Sequence, residues 1–172
     1  PAPPVVAAIQ AARQALEAGL APQRGGGVPD ERLHLTLHWL GEWSRLPQAL
    51  VDDACAAAAR MRLSGFELRL DQAECFGHAE SIWVLRPSQP PRQLEELHRA
   101  LAAALAARRV RVPVGPSFAP HVTVRRRASV RFPPQPVPPV EWRVDRFALL
   151  QSLRTGAGTR YRVLGEWPLS AA

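Results

Sequence analysis

The sequence contains no lysine, only two cysteines and no long run of hydrophobic residues. Cys55 and Cys75 match neither a disulfide framework nor a zinc knuckle, and we expect both thiols to be reduced. No apolar stretch approaches the roughly 20 residues that a membrane-spanning helix requires. The first residues also lack the basic start and long apolar centre of a signal peptide. We therefore expect a cytoplasmic protein without a membrane partner.

Charge is the most informative feature of the composition. The net charge is +7 and the isoelectric point is near 11.2, which suits a polyanionic partner without identifying one. All 22 basic residues are arginines. Every cationic contact is therefore made by a planar guanidinium, which can bind a phosphate through two hydrogen bonds. The length of 172 residues predicts a single domain or two small lobes that share a core.

Hydrophobic periodicity predicts helices that alternate with pairs of strands. We predict helices over 2–20, 46–61 and 90–109, and strands over 33–40, 66–73, 81–86, 122–126, 144–150 and 160–167. Segment 131–140, RFPPQPVPPV, contains so many prolines that we expect a stiff connector there. This order favours an α+β fold with largely antiparallel sheets, and it indicates two similar halves.

One short pattern occurs twice. His34 and Thr36 stand two residues apart in RLHLTLHWLG, and His121 and Thr123 repeat that spacing in HVTVRRR, 87 positions later. With five histidines and four threonines in the chain, about 0.1 such matches are expected by chance. Both copies also lie in segments where apolar and polar residues alternate. The repetition therefore indicates a common function rather than two ordinary half-exposed strands.

Strand geometry predicts which side chains share a face. His34, Thr36 and His38 would point to one side of the first strand, with Leu33, Leu35, Leu37 and Trp39 in the core. His121, Thr123 and Arg125 would share a face of the second strand. A metal site is the less favoured interpretation, because no cysteine or carboxylate accompanies the histidines on that face. His78, in a predicted hairpin turn, and His98, on a helix, lack such partners, and we expect surface or half-buried positions.

Two histidines and two hydroxyls without a metal suit in-line displacement at a phosphodiester. One imidazole takes a proton from the attacking oxygen while the other protonates the leaving oxygen, and histidine suits both roles because its pKa lies near neutrality. Each threonine hydroxyl can donate a hydrogen bond to a non-bridging phosphate oxygen and so stabilise the charge that develops there.

At these residues the chain resembles the 2H phosphoesterase superfamily, and within it the RNA 2′,3′-cyclic phosphodiesterase family, also known as 2′-5′ RNA ligase. HLTLHWLGEW resembles the first family motif and FAPHVTVRR the second. SIWVLRP resembles the strand between them, and GTRYRVLGEWPL resembles the closing strand. The resemblance covers nearly the whole chain.

The resemblance implies a fold and a set of residue roles. It implies one bilobal domain over residues 1–172, with two mostly antiparallel sheets related by a pseudo-two-fold axis, outer helices, and a central cleft to which each lobe contributes one motif. His34 would be the proton donor and His121 the proton acceptor, while Thr36 and Thr123 would hold the phosphate. Substrate contacts are expected from Arg126, Phe118, Arg125 and His38. Strict alternation would place Arg126 on the apolar side, so a bulge or a strand end is required there.

The resemblance also implies a substrate and leaves alternatives open. The expected activity is hydrolysis of 2′,3′-cyclic phosphates at RNA ends to 2′-phosphates, by a monomer without cofactor or metal, with ligation as a weaker reverse reaction. The alternatives are the same chemistry on small cyclic nucleotides or 2′-5′ oligonucleotides, and an RNA-binding module without catalysis. The chain departs from the family most clearly at its start, where the short strand that normally precedes the first helix is not seen, so that either this strand lies outside the sequence or the sheet is one strand short. His38 is a second, milder departure.

Overall fold

The computed structural model describes residues 1–77, 80–113, 118–156 and 158–170, so that His78 lies outside the described residues. The chain divides into two compact units. The first comprises Pro1–Thr36, Glu67–Pro90 and Ala119–Trp142, and the second comprises Leu37–Phe66, Pro91–Phe118 and Arg143–Ala172.

The helices begin and end where local sequence signals place them. Helix α1 spans Pro3–Ala18, with proline in its first turn and Gly19 at its C-terminal end. Helix α2 spans Gln48–Ala58, and helix α3 spans Arg92–Ala107. The predicted leucine stripe of α3 is buried at Leu94, Leu97, Leu101 and Leu105. These helices confirm the predicted ones, each shortened by a few residues.

The described strands form a five-stranded sheet and a two-stranded sheet. The larger sheet has the order β1-β4-β3-β2-β5, and the smaller sheet pairs β6 with β7. The strands are β1 (Gly26–Gly27), β2 (Phe66–Phe76), β3 (Ser81–Arg86), β4 (Val122–Ala128), β5 (Gln135–Val144), β6 (Arg146–Thr155) and β7 (Gly158–Pro168). The pairs β1–β4, β2–β3, β3–β4 and β6–β7 are antiparallel, which confirms the predicted α+β class.

Each unit has an apolar core of its own. In the first unit α1 packs against β4, and Ile9, Trp83 and Val122 are fully buried. In the second unit a buried cluster joins α2 to α3 through Ala54, Ala57, Ala58, Leu101, Leu105 and Val110. Phe147 and Trp167 at the base of the β6–β7 hairpin pack against this cluster.

The prediction of a strand over 33–40 is wrong for most of that range. A short 3-10 helix, Asp30–Arg32, precedes it, and only Leu35 pairs, in an isolated antiparallel bridge with Val122. Trp39, which was predicted to be in the core, is 60% exposed. The chain leaves the first unit after Thr36, so the segment does not continue along one neighbouring strand.

The proline-rich segment 131–140 is not a connector throughout, because β5 begins at Gln135 and lies at the edge of the larger sheet. Proline lacks the backbone N–H that a central strand needs, but an edge strand has only one hydrogen-bonded neighbour. Val140 anchors the strand, since its side chain is almost completely buried. The prediction of an unpaired connector is therefore wrong for the residues from Gln135 onward.

Gly25 provides a test of the close approach between the chain before β1 and strand β4. Its φ is +75°, and a Cβ added there would lie within 3 Å of the carbonyl oxygens of Arg126 and Arg127. We expect Gly25→Ala to lower the free energy of unfolding by about 2–4 kcal/mol, from left-handed strain and crowding. Gly26→Ala is the matched control, because a Cβ there would meet nothing within 4 Å, and we expect a change within about 0.5 kcal/mol. Equal effects in denaturant titrations of the two variants would contradict this account.

Candidate functional site

The two His-x-Thr motifs are brought together by the bridge between Leu35 and Val122. In antiparallel register the residues next to a bridged pair oppose each other, so His34 faces Thr123 and Thr36 faces His121. Side chains alternate across the backbone, and these four therefore lie on the face opposite to Leu35 and Val122. Both motifs belong to the first unit, whereas one motif in each lobe was expected.

The two histidine rings are held by the same kind of hydrogen bond. His34 Nδ1 lies 2.8 Å from the carbonyl oxygen of Arg32, and His121 Nδ1 lies 2.7 Å from the carbonyl oxygen of Ala119. A carbonyl oxygen can only accept, so each Nδ1 carries a proton and donates it. In both rings Nε2 is then the nitrogen that gains and loses a proton.

The surroundings of His34 favour its neutral form. Burial lowers the pKa of His34, and the hydrogen bond to the Arg32 carbonyl opposes this effect in part. The positive charges of Arg126 and His121 lower the pKa further. Both effects disfavour the imidazolium form of His34.

A bulge in β4 determines which arginine lies on the same face of the strand as Thr123. Val84 pairs with Thr123 and Trp83 pairs with Arg125, so Val124 is an additional residue between the two pairs. A bulge of this kind reverses the alternation beyond it. Arg125 is therefore buried, while Arg126 is exposed on the side of Thr123. The bulge that the predicted role of Arg126 required is present.

Arg125 is held by the interior of the first unit. Its Nη2 lies 2.9 Å from a carboxylate oxygen of Glu17, and its Nη1 donates to the carbonyl oxygens of Arg24 and Gly25 at 3.1 and 3.0 Å. The guanidinium also lies over the Trp83 ring, 5.7 Å from its centroid. These contacts argue against the predicted substrate contact and give Arg125 a structural role, because they tie β4 to α1.

His38 and Phe118 lie in the second unit, where both contact His98. His38 Nε2 donates to the His98 carbonyl oxygen at 2.8 Å, and the His38 and His98 rings stack with centroids 4.1 Å apart. Phe118 stacks on His98 at 3.9 Å. Burial, followed by the charge of His38, lowers the pKa of His98. The sequence spacing contained no signal for this three-ring stack.

Phe76, at the end of β2, is a site neighbour that sequence reasoning missed. Its ring meets the His121 ring edge to face, with centroids 4.9 Å apart and an interplanar angle of 67°. Such aromatic contacts restrict the orientation of a ring. Phe76 therefore helps to orient His121 together with the Ala119 carbonyl. An isolated phenylalanine at a strand end carries no sequence signal for this contact.

Neither a metal cluster nor a membrane-spanning helix occurs in the part of the chain that the structure describes. Among residues 1–77, 80–113, 118–156 and 158–170, no group of three or more His, Cys, Asp or Glu side chains is placed to hold a metal ion. Within the same ranges, no helix has both the length and the apolar character needed to cross a membrane.

An α+β fold that brings two His-x-Thr motifs into one place defines a 2H phosphoesterase. The chain belongs to the 2′-5′ RNA ligase superfamily, a family of enzymes whose family model matches residues 1–156. An Escherichia coli K12 protein named RNA 2′,3′-cyclic phosphodiesterase is 36% identical over an alignment of 153 positions that covers 87% of this chain and 82% of the relative. A Thermus thermophilus protein of the same name is 32% identical over an alignment of 173 positions that covers 94% of this chain and 84% of that relative.

Solved structures agree with this assignment. The crystal structure of Escherichia coli LigT complexed with 3′-AMP superposes with a TM-score of 0.79 at 31% identity, covering 95% of this chain and 92% of LigT. A crystal structure described as a phosphoesterase superposes with a TM-score of 0.78 at 28% identity, covering 96% of this chain and 93% of the other.

The effect of the Arg126 charge on the pKa of His34 can be measured directly. We expect Arg126→Gln to raise the pKa of His34, because the variant removes a positive charge that disfavours the imidazolium. NMR titration of the histidine C–H signals measures the change. Arg127→Gln is the matched control, since that arginine is exposed and pairs with Glu80 at 3.5 Å. Equal shifts in the two variants would show that net charge, rather than position, is responsible.

Proposed function

We propose that this protein is an RNA 2′,3′-cyclic phosphodiesterase that opens terminal cyclic phosphates to 2′-phosphates. The observation that carries the proposal is the placement of His34 and His121 in one site, each with Nδ1 bonded to a backbone carbonyl and each opposite a threonine of the other motif. Two imidazoles that exchange protons at Nε2 can serve as the acid and the base of one displacement. The names of the two curated relatives support the choice of substrate.

The reaction adds one water molecule to the cyclic phosphate. His121 accepts a proton from the water, whose oxygen attacks phosphorus. The bond from phosphorus to the ribose 3′ oxygen breaks, and His34 donates a proton to that oxygen. The product carries a 2′-phosphate, and the two histidines have exchanged protonation states. The same groups acting in reverse would join RNA ends through a 2′-5′ bond, which we propose as a weaker activity.

The low pKa of His34 in the unliganded protein is compatible with its role as the acid. Burial and the charge of Arg126 both disfavour the imidazolium when no anion is bound. A bound phosphodiester places a negative charge near the His34 imidazole and the Arg126 guanidinium. A nearby negative charge raises the pKa of an imidazole. Substrate binding would therefore promote the protonation of the acid that the reaction needs.

The threonines and Arg126 supply the electrostatic part of the proposed mechanism. Thr36 and Thr123 would donate hydroxyl hydrogen bonds to non-bridging phosphate oxygens, and the exposed guanidinium of Arg126 would offer two N–H donors. Negative charge builds on those oxygens in the transition state, so donors fixed in advance lower its free energy. No step of this mechanism needs a Lewis acid, and we propose that catalysis is independent of metal.

Incubation with RNA that carries a 2′,3′-cyclic phosphate end tests the activity directly. We expect the product to be the 2′-phosphate isomer, and we expect excess chelator to leave the rate unchanged because the proton transfers need only imidazoles. Chromatography against authentic 2′- and 3′-phosphate standards identifies the isomer. Loss of activity in chelator, with recovery on adding a divalent ion, would overturn the metal-free mechanism.

Substitution of the four motif residues tests the roles. We expect His34→Ala and His121→Ala each to lower kcat by about 10²–10⁴, and each Thr→Ala to lower it by roughly 10–10³. His98→Ala, a histidine outside the motifs, should change kcat by only a few-fold.

A diester with p-nitrophenolate as its leaving group separates the acid from the base. This leaving group needs no proton, so the substrate should restore His34→Ala and leave His121→Ala inactive. Rescue of His121→Ala instead would exchange the two roles. If neither alanine variant loses more than a few-fold on RNA, the motifs are not catalytic.

A further inference from the structure

The β6–β7 hairpin extends beyond the part that packs on the helices of the second unit. At its base Phe147 and Trp167 stack, with ring centroids 5.6 Å apart, and pack against the buried α2–α3 cluster. Farther out the pairing continues from Gln151–Arg162 to Thr155–Gly158. We call residues 151–155 and 158–163 the arm.

Most side chains of the arm are exposed, although Gln151, Thr159 and Tyr161 are half-buried. Leu153 pairs with Arg160 on one face and is 37% exposed. On the other face Val163 is 59% exposed and the Arg154 side chain is 88% exposed. A two-stranded hairpin on its own is at best marginally stable in water. The core of the second unit therefore gives no reason for the arm to extend this far, which suggests a binding role.

The charge of the arm has one sign. Residues 151–163 include Arg154, Arg160 and Arg162 and no acidic residue. Arg160 and Arg162 stand two residues apart on β7, so they project from the same face, about 7 Å apart along the strand. Both residues are exposed. Two guanidinium groups in this arrangement suit successive phosphates of an extended polyanion.

Exposed tryptophans lie on the segment that contacts the arm. Arg154 of the arm pairs with Glu42 of the segment from Trp39 to Trp43, at 3.5 Å. Trp39 is 60% exposed and Trp43 is 41% exposed. Arginines that contact phosphates beside aromatic rings that stack on bases are the usual components of a surface for single-stranded nucleic acid.

We propose that the arm and Trp39 bind the single-stranded chain of an RNA substrate, in addition to the groups that act on its cyclic phosphate end. This inference rests on the proposed function for the identity of the nucleic acid. Exposed tryptophans together with exposed arginines favour RNA over an acidic protein, which offers carboxylates but no bases. The arm would thus make the enzyme prefer an RNA chain to a mononucleotide.

The binding test uses the full chain and a single-stranded RNA ten-mer that ends in a 3′-hydroxyl, so that turnover plays no part. We expect R160Q/R162Q to weaken binding about tenfold or more at 50 mM salt and to reduce the salt slope by about 1.4, or 0.7 for each lost phosphate contact. We expect W39A to weaken binding about fivefold or more through lost stacking. Fluorescence anisotropy at several salt concentrations measures both quantities.

The control is R60Q/R92Q, which removes the same charge from two exposed arginines of the second unit outside the arm. Equal losses in the two double variants would show a diffuse effect of net charge and would overturn the proposal. Unchanged binding in R160Q/R162Q would overturn it as well. Circular dichroism and thermal unfolding of each variant exclude a folding defect as the cause.

Hydrolysis of a mononucleotide 2′,3′-cyclic phosphate separates this inference from the proposed function. We expect R160Q/R162Q to keep the wild-type kcat and KM on the mononucleotide, and to raise KM at unchanged kcat on a cyclic-phosphate RNA. If the wild-type protein hydrolyses neither substrate, the proposed function fails, while the ten-mer still decides whether the arm binds RNA. A loss on the mononucleotide equal to that on RNA would overturn the inference alone.

Discussion

A single antiparallel bridge, between Leu35 and Val122, determines where all four motif side chains lie. Val122 is fully buried, so the bridge is anchored in the core of the first unit. Because alternate side chains point to opposite faces, the apolar pair on one face leaves two histidines and two threonines opposed on the other. The catalytic arrangement that we propose therefore follows from the packing of two hydrophobic residues.

The arginine run at 125–127 shows how backbone geometry distributes identical side chains. The bulge at Val124 turns Arg125 into the interior, where Glu17 and two carbonyl groups bind it. The next residue, Arg126, then faces the motif, and Arg127 adopts a left-handed φ of 57° and pairs with Glu80. Arg125 supports the fold, Arg126 lowers the pKa of His34, and Arg127 lies at the surface.

The site holds its two imidazoles in fixed orientations, and in the absence of an anion it disfavours the charged form of His34. Backbone carbonyls hold both imidazoles, and Phe76 packs against one of them. Burial and neighbouring positive charge hold the pKa of His34 low. The positive charge of Arg126 attracts an anion, and a bound anion in turn raises the pKa of His34. Fixed donors and a preference for anions are what phosphodiester chemistry needs.

The sequence by itself determined what depends on local signals. Proline in the first turn and Gly19 at the end placed α1, a leucine stripe placed α3, and two His-x-Thr motifs identified the family. Tertiary structure decided the rest. Segment 33–40 has the sequence pattern of a strand but forms a single bridge, at Leu35. Strand β5 pairs with β2 despite its prolines. In both cases the pairing depends on which other strand lies beside the segment in the folded protein. The bulge and the partners of Arg125 likewise depend on residues more than 30 positions away in the chain, which no local pattern contains.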